Sequence, residues 1–237
     1  MTFADCRYLV QSYQATPEEL ESVNLDTFVD EVEAARSSLG LGRITVLGHS
    51  AQAQTALAYA LKYPQHTERV VMSCGVPYSL AKLGPAQESY WNKNASDGRK
   101  AAFERDQAKY AKEFKTVSPE RAFVVFYLSN TAKYWADYED EHAALVSKFI
   151  TSPAFDRFFE SIPSKKEVRS RLEKLSAPCL VMAGRHNYMC PCTEWQELTA
   201  DLPNVTYRLL ETSGHNPSTE DPERFERELL AWFDRTP

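Results

Sequence analysis

Residues 43–52 read RITVLGHSAQ, an apolar run that ends in a glycine and leads directly into a helical pattern. The run from Arg43 to Gly48 predicts a short strand, and the apolar spacing from about Ala51 to Tyr63 predicts a helix. Ser50 would then lie on the sharp turn between strand and helix, held clear of the sheet. A serine in this place is a candidate nucleophile, although a serine before a helix can also serve only as its cap.

Three residues next to Ser50, namely His49, Ala51 and Gln52, are candidates for binding the substrate or the oxyanion. The N-terminus of the following helix adds positive potential, and the backbone N–H of Ala51 is predicted to stabilise an oxyanion. The usual pattern G-x-S-x-G is broken, because Gln52 stands where the second glycine belongs. Gln52 either adds bulk between helix and strand or points into the site as a hydrogen-bond donor. His49 and Gln52 are the candidate substrate-binding residues.

A histidine near the end of the chain, His215, also follows a predicted strand, as Ser50 does. Residues 213–217 read SGHNP, and they follow the last predicted strand, Val205 to Leu210, and precede the last predicted helix. A histidine in such a loop can hang over the carboxyl edge of a sheet and reach a serine there. The chain order nucleophile, acid, histidine is typical of one class of catalytic triad, and Ser50 and His215 fit that order. We therefore predict His215 as the general base.

The remaining pattern predicts an α/β fold with a mostly parallel sheet flanked by helices, because strands alternate with helices. The rhythm breaks between residues 78 and 165, where the pattern is largely helical and only Phe123 to Leu128 could form a strand. This stretch holds 16 of the 28 aromatic residues, enough for its own small core and for a partly aromatic pocket. We predict a core of residues 1–77 and 166–237 with an inserted helical cap, residues 78–165. The other predicted elements are a strand from Cys6 to Tyr13, a helix from Leu25 to Leu39, strands from Arg69 to Cys74 and from Pro178 to Gly184, and a last helix that begins at Asp221.

The composition of the chain argues against several classes of protein and several kinds of partner. The chain has 237 residues and a net charge of −6, which argues against a nucleic-acid partner because such a partner needs a basic face. No apolar stretch is long enough to span a membrane, and the N-terminus predicts no signal peptide. Five cysteines, an odd number, indicate a reducing and therefore cytoplasmic location. Neither metal binding nor redox chemistry is expected at Cys190-Pro191-Cys192, because the pair lacks the usual two-residue spacer.

Four stretches in order resemble the α/β-hydrolase superfamily, and specifically its capped proline-iminopeptidase-like group. The resemblance covers most of the chain outside the predicted cap. It implies that Ser50 is the nucleophile, that His215 is the general base and that the cap sets substrate choice, with no cofactor required. The stretches are Asn24 to Ala35, Ile44 to Pro64, Ala177 to Pro191 and Glu211 to Phe233.

The chain departs from the family pattern at the triad acid. Asn187 occupies the slot in Gly184-Arg185-His186-Asn187 where the family has an aspartate, and an amide can favour the wrong histidine tautomer. The alternative position, residues 75–78, offers no carboxylate, and Glu194 and Asp201 are interpreted as solvated helix charges. The triad is therefore predicted as Ser50, His215 and Asn187.

Two further features complete the comparison with the family. The strands that precede Cys6 to Tyr13 in family members are not recognised here, nor is a glycine-rich loop that would supply a second oxyanion N–H. An unpaired sheet edge would favour a homodimer. The acidic run Glu139-Asp140-Glu141 could hold a substrate's free amine, as cap acids do in aminopeptidase-like members, although such runs are usually solvated.

The leading hypothesis is a serine hydrolase that cleaves a small ester, amide or N-terminal peptide bond, with a small molecule or short peptide as substrate. The alternative is a catalytically impaired relative that binds a small ligand under its cap. A third interpretation is that a longer coding sequence would supply the upstream strands and that Asn187 replaces a natural aspartate.

Overall fold

The computed structural model describes residues 21–139, 146 and 154–236. The predicted strand from Cys6 to Tyr13 lies outside these residues. Four strands form one sheet in the order β1-β2-β3-β4, and every neighbouring pair is parallel. This confirms the predicted fold class. The strands are β1 Ile44–His49, β2 Thr67–Ser73, β3 Cys179–Gly184 and β4 Val205–Leu210.

Helices account for most of the remaining described chain. A helix ends just before Gly40, whose φ of +63° is the left-handed conformation typical of a helix C-terminus. The last helix begins after Asp221, whose side chain accepts a hydrogen bond from the Arg224 N–H, as the sequence predicted. The helices are α1 Leu25–Ser38, α2 Gln52–Lys62, α3 Leu80–Asn94, α4 Asp97–Tyr110, α5 Pro119–Ser129, α6 Thr131–Tyr134, α7 Ala154–Glu160, α8 Lys165–Lys174, α9 Cys192–Thr199, α10 Pro217–Glu220 and α11 Pro222–Arg235.

The two central strands, β2 and β3, are buried on both faces of the sheet, as is typical of a parallel sheet. Along β2, Val70 and Met72 belong to the apolar cluster that also contains buried residues of α1, α2, α8 and α9. Val71 points to the opposite face, where Trp232 of α11 packs with its neighbours. This alternation follows from the two-residue period of a strand, and it explains why β2 and β3 read as continuous apolar runs.

Between β2 and β3 the described residues form helices joined by loops, and none of them forms a strand. Phe123 to Leu128, which the sequence analysis allowed as a strand, lies within α5, so that expectation was wrong. Ser118 and Pro119 start the helix, and burial of Val124 and Tyr127 at helical spacing outweighs the strand preference of the run. The domain boundaries at residues 78 and 165 stay predictions.

Strand β1 lies at one end of the four-stranded order, and Leu47 on it is 44% exposed. Within the described residues β2 is the sole strand that pairs with β1. The homodimer expected from an unpaired edge stays a prediction. None of the described helices combines the length and apolar character needed to cross a membrane.

Candidate active site

Ser50 lies on a strained turn between β1 and α2. Its φ is +56°, a left-handed conformation that serine adopts rarely. The end of β2 holds this turn in place, because the Ser50 N–H donates to the Ser73 carbonyl at 3.0 Å and the Ser50 carbonyl accepts from the Val76 N–H at 3.0 Å. A Cβ at Gly48 would lie 2.1 Å from the Gln52 carbonyl oxygen, so only glycine fits there. The turn therefore presents the partly exposed Ser50 side chain at the carboxyl edge of the sheet.

The structure brings the three predicted triad residues together at that edge. The Ser50 Oγ lies 3.0 Å from Nε2 of His215, and Nδ1 of His215 lies 3.0 Å from Nδ2 of Asn187. Each residue follows the carboxyl end of a different strand, namely β1, β3 and β4, and these ends meet at one edge because the strands are parallel. His215 and Asn187 are both buried.

A backbone contact fixes the orientation of the Asn187 amide. The Cys190 N–H donates to Oδ1 of Asn187 at 3.0 Å, which leaves the NH₂ group facing Nδ1 of His215. Since that NH₂ group can only donate, Nδ1 must accept, and the proton of a neutral His215 then resides on Nε2. Nε2–H consequently donates to the Ser50 hydroxyl instead of accepting its proton. The resting arrangement is the wrong tautomer for a general base.

The Cys74 thiol lies beside the same amide but offers no competing nucleophile. Cys74 Sγ donates to the Gly214 carbonyl at 3.3 Å, and a hydrogen bond links it to the Asn187 side chain. Burial raises the pKa of Cys74 to about 12, and hydrogen bonds with the Gly184 backbone and the Asn187 side chain lower it only in part. A thiol with this pKa is neutral near pH 7, so Ser50 is the better candidate nucleophile.

His215 is held from both sides by aromatic rings and by a backbone bond to the helices between β2 and β3. Its N–H donates to the Tyr134 carbonyl at 2.6 Å, and the Tyr134 ring contacts the imidazole edge-on with centroids 5.1 Å apart. The His49 ring lies on another side at 5.0 Å. Burial lowers the pKa of His215 well below its ordinary 6.5, and the nearby His49 adds to this shift.

A wall of aromatic side chains extends from His215 across the site. Tyr127 and Tyr134 stack with centroids 4.0 Å apart, and Nδ2 of Asn216 donates to the Tyr127 hydroxyl at 2.9 Å. A further hydrogen bond connects Asn216 with the His49 side chain. The apolar cluster at this wall comprises Tyr127, Tyr134, Trp135 and Val146, with Phe123 and Met189 packed against it. The geometry places His49 in this wall, next to the predicted base.

Ala51 and Gln52 occupy the first turn after the nucleophile. Among the described residues no acceptor pairs with the Ala51 N–H, so this group has the free donor that an oxyanion needs. The Gln52 side chain lies along its own helix, since Oε1 accepts from the Thr55 hydroxyl at 2.8 Å. Its Nε2 is buried and has no partner within the described part of the chain. Substrate contact by Gln52 stays a prediction.

The structure shows the surroundings of two acidic residues from the sequence analysis, Glu194 and Glu139. Glu194 is not a solvated charge, because it is buried and accepts hydrogen bonds from Tyr78 at 2.8 Å and from Lys165 at 2.7 Å. Its helix packs on α8, which brings Lys165 over it. Glu139 is exposed and pairs with Arg105 at 3.0 Å, while Asp140 and Glu141 lie outside the described residues. Over the part of the chain that the structure describes, no three His, Cys, Asp or Glu residues form a group that could hold a metal ion.

We expect the two site histidines, His215 and His49, to make the folded state less stable at acidic pH. Burial lowers the pKa of both His215 and His49 below 6.5 in the native state. The unfolded chain therefore binds more protons just below pH 6.5, and the free energy of unfolding should fall there by up to about 1.4 kcal/mol per pH unit for each histidine. Urea unfolding between pH 7.5 and 5.5 measures this slope. His215→Gln should reduce it, and an unchanged slope in that variant would contradict the assignment.

The parallel sheet, with a serine–histidine pair at its carboxyl edge, defines an α/β-hydrolase fold. The chain belongs to the α/β-hydrolase family, whose model, described as alpha/beta hydrolase fold, matches residues 7–222. This confirms the resemblance to the α/β-hydrolase superfamily that the sequence analysis found.

Relatives and solved structures agree with the family. The chain is 30% identical to the AB hydrolase superfamily protein YclE of Bacillus subtilis, over 91% of this chain and 77% of that protein. It is 23% identical to a proline iminopeptidase of Clostridium botulinum, over 93% and 76% of the two chains. A thermophilic esterase from Thermogutta terrifontis shares the fold with a TM-score of 0.64 and 18% identity, over 90% of this chain and 73% of that one. These comparisons support a hydrolase.

Proposed function

We propose that this protein is a serine hydrolase that cleaves a small ester, amide or N-terminal peptide bond through Ser50 and His215. One observation carries the proposal: the Ser50 hydroxyl, on a turn with φ of +56°, lies 3.0 Å from Nε2 of His215. A strained turn that costs stability and presents one hydroxyl to one imidazole is typical of a nucleophile and its base. Similarity to proline iminopeptidases favours the same class of reaction.

The proposed reaction follows from these positions. Ser50 Oγ forms a bond to the substrate carbonyl carbon while its proton passes to Nε2 of His215. The carbonyl oxygen becomes an oxyanion and accepts a hydrogen bond from the Ala51 N–H at the start of α2. His215 then gives the proton to the leaving group as the scissile bond breaks. Water repeats these steps on the acyl-enzyme and regenerates Ser50.

Asn187 limits this reaction, because His215 must carry its proton on Nδ1 to act as a base. That tautomer requires the Asn187 amide to rotate, and rotation removes the acceptor of the Cys190 N–H. A buried donor left unsatisfied costs about 1–3 kcal/mol, which alone slows the reaction by roughly 5- to 150-fold. Slow turnover with asparagine at position 187 is therefore part of the proposal.

The orientation of Asn187 also favours a second candidate, an impaired relative that binds a ligand without cleaving it. When Nε2–H donates to Ser50 Oγ, the Ser50 hydroxyl proton is available to a ligand, as is the Ala51 N–H. Two convergent donors suit a carbonyl or carboxylate oxygen. The aromatic wall with Tyr127 and Tyr134 would then hold the apolar part of the ligand.

A fluorophosphonate probe distinguishes the two candidates, because it reacts only with an activated serine. We expect slow, stoichiometric labelling of the purified protein at Ser50, located by peptide mapping. Ser50→Ala should abolish labelling entirely, whereas the exposed Ser38→Ala should leave it unchanged. No labelling of folded protein, even after long incubation, would reject the hydrolase and favour the ligand-binding candidate.

Two further proposals concern the setting of the protein. The four cysteines in the described residues are free and buried, which supports a reducing compartment such as the cytoplasm. A homodimer through the β1 edge is supported by the exposed Leu47.

A further inference from the structure

A single carboxylate ties the His215 loop to the helices between β2 and β3. Oε2 of Glu220 accepts the N–H of Gly214 at 2.9 Å and the N–H of Ala136 at 2.7 Å. Oε1 accepts the N–H of Asn216 at 2.7 Å. Glu220 thus binds the two backbone groups that flank His215 and one group that follows α6.

The buried guanidinium of Arg99 also binds the segment that contains Ala136. Nη1 of Arg99 donates to the carbonyls of Ala132 and Trp135, each at 2.7 Å, and Nη2 donates to the carbonyl of Ala136 at 2.6 Å. Arg99 is only 5% exposed, and no carboxylate of the described residues forms an ion pair with it. Its guanidinium also lies 4.4 Å from the centroid of the Tyr138 ring.

The two charges meet at one residue. The Ala136 carbonyl accepts from Arg99, and the Ala136 N–H donates to Glu220. The Ala136 backbone therefore connects the Arg99 guanidinium to the Glu220 carboxylate through two hydrogen bonds. Each of these bonds involves a charged group in partly buried surroundings, where such hydrogen bonds are strong. The segment Ala132–Ala136 is clamped between them, and its Tyr134 carbonyl accepts the N–H of His215 at 2.6 Å.

We propose that Arg99 and Glu220 are positioning residues for the base, and that their bridge through Ala136 sets the distance between His215 and Ser50. This inference rests on the proposed function, since it assigns the bridge to the Ser50 reaction. The helices between β2 and β3 then contribute to reactivity as well as covering the site. Loss of the carboxylate frees the Gly214 and Asn216 N–H groups and allows the loop to shift.

The size of the effect follows from the geometry. The hydrogen bond between Ser50 and His215 is 3.0 Å long, and a shift of about 1 Å in a reacting group can lower a rate by roughly 10²-fold. Neither Arg99 nor Glu220 contacts Ser50 or the imidazole ring in the described structure. Their loss should therefore slow the chemical step and leave the affinity for a probe unchanged.

The test compares Glu220→Gln with Glu223→Gln, both in an Asn187→Asp background that gives Ser50 a faster reaction. Glu223 is exposed and lies three residues further along the chain, in α11. We expect Glu220→Gln to lower the labelling rate at saturating fluorophosphonate by 10- to 100-fold, with an unchanged half-saturating probe concentration. Glu223→Gln should match the background. Equal rates in the two variants would overturn the proposal.

Arg99→Lys provides a second variant, because a lysine keeps the charge but lacks the planar fork of two nitrogens that reaches the three carbonyls. It should slow labelling as Glu220→Gln does, whereas Arg105→Lys on the exposed side of α4 should not. The combined Glu220→Gln, Arg99→Lys variant should lose less than the product of the two single losses, since both act through Ala136. Independent, multiplicative losses would contradict a shared bridge.

Hydrogen exchange separates this inference from the proposed function. In Glu220→Gln one acceptor oxygen becomes an NH₂ donor, so at least one of the Ala136, Gly214 and Asn216 amides should exchange faster than in Glu223→Gln, a readout that needs no turnover. If the Asn187→Asp background itself is not labelled, the hydrolase proposal fails. Exchange rates unchanged by Glu220→Gln would refute the bridge, whatever the labelling shows.

Discussion

Replacing Asn187 with aspartate is expected to raise the rate of Ser50 phosphonylation by about 10³- to 10⁴-fold, the inverse of the loss that the opposite change causes in a serine protease. The pocket already suits a carboxylate. One oxygen would keep the hydrogen bond from the Cys190 N–H, and the other would accept a proton from Nδ1 of His215. Nε2 would then be free to accept the Ser50 proton.

The measurement is the second-order rate constant for a fluorophosphonate, with Asn92→Asp as the matched control on the exposed face of α3. The variant should also change the pH profile, since a carboxylate beside Nδ1 raises the pKa of His215 from its depressed native value. Labelling by Asn187→Asp should decline on acidification as His215 becomes protonated. A rate no higher than that of Asn92→Asp would show that the acid is not what limits this site.

Gly184→Ala is expected to destabilise the fold by at least about 3 kcal/mol, which corresponds to a fall in Tm of roughly 6–12 °C. A Cβ at Gly184 would lie 1.9 Å from the Gly214 carbonyl oxygen and 2.6 Å from that of Ser213. Both contacts are with backbone, which cannot rotate away as a side chain could. The His215 loop must therefore move, and labelling of Ser50 in the folded fraction should fall as well.

Gly84→Ala is the matched control for this change. Gly84 lies on the exposed side of α3, and a Cβ there would meet no atom within 4 Å. Alanine favours a helix over glycine by about 0.5–1 kcal/mol, but the following Pro85 crowds a Cβ at position 84, so this variant should keep a Tm close to that of the unchanged protein. Thermal unfolding of both variants tests the contrast, and equal Tm values would mean that the loop at Gly184 can relax at little cost.

Much of the fold was predictable because its signals are local. Each of the four described strands contains an apolar run, and the predicted helix boundaries at Leu39 and Asp221 lie within one residue of the observed ones. Ser50 and His215 were also predictable, since a parallel sheet gathers the residues that follow its strands at one edge. Their roles stay proposals.

Other parts of the site depend on contacts between distant segments, which no local pattern records. The orientation of Asn187 is set by the Cys190 N–H, and the sequence shows only that an amide occupies the acid position. Glu220 carries no sign of its three backbone bonds beyond its location five residues after His215. Glu194 was misread for the same reason, because Tyr78 and Lys165 reach it from other elements.

The hydrogen bond from the His215 N–H to the Tyr134 carbonyl restricts how the segment between β2 and β3 can be exchanged in an engineered variant. In many enzymes a covering segment can be exchanged to change which molecules enter, while the reacting groups stay as they were. Here such a graft would remove the acceptor of the His215 N–H together with the Arg99 and Ala136 contacts. Any transplanted segment would need to supply an equivalent carbonyl to keep His215 in its place.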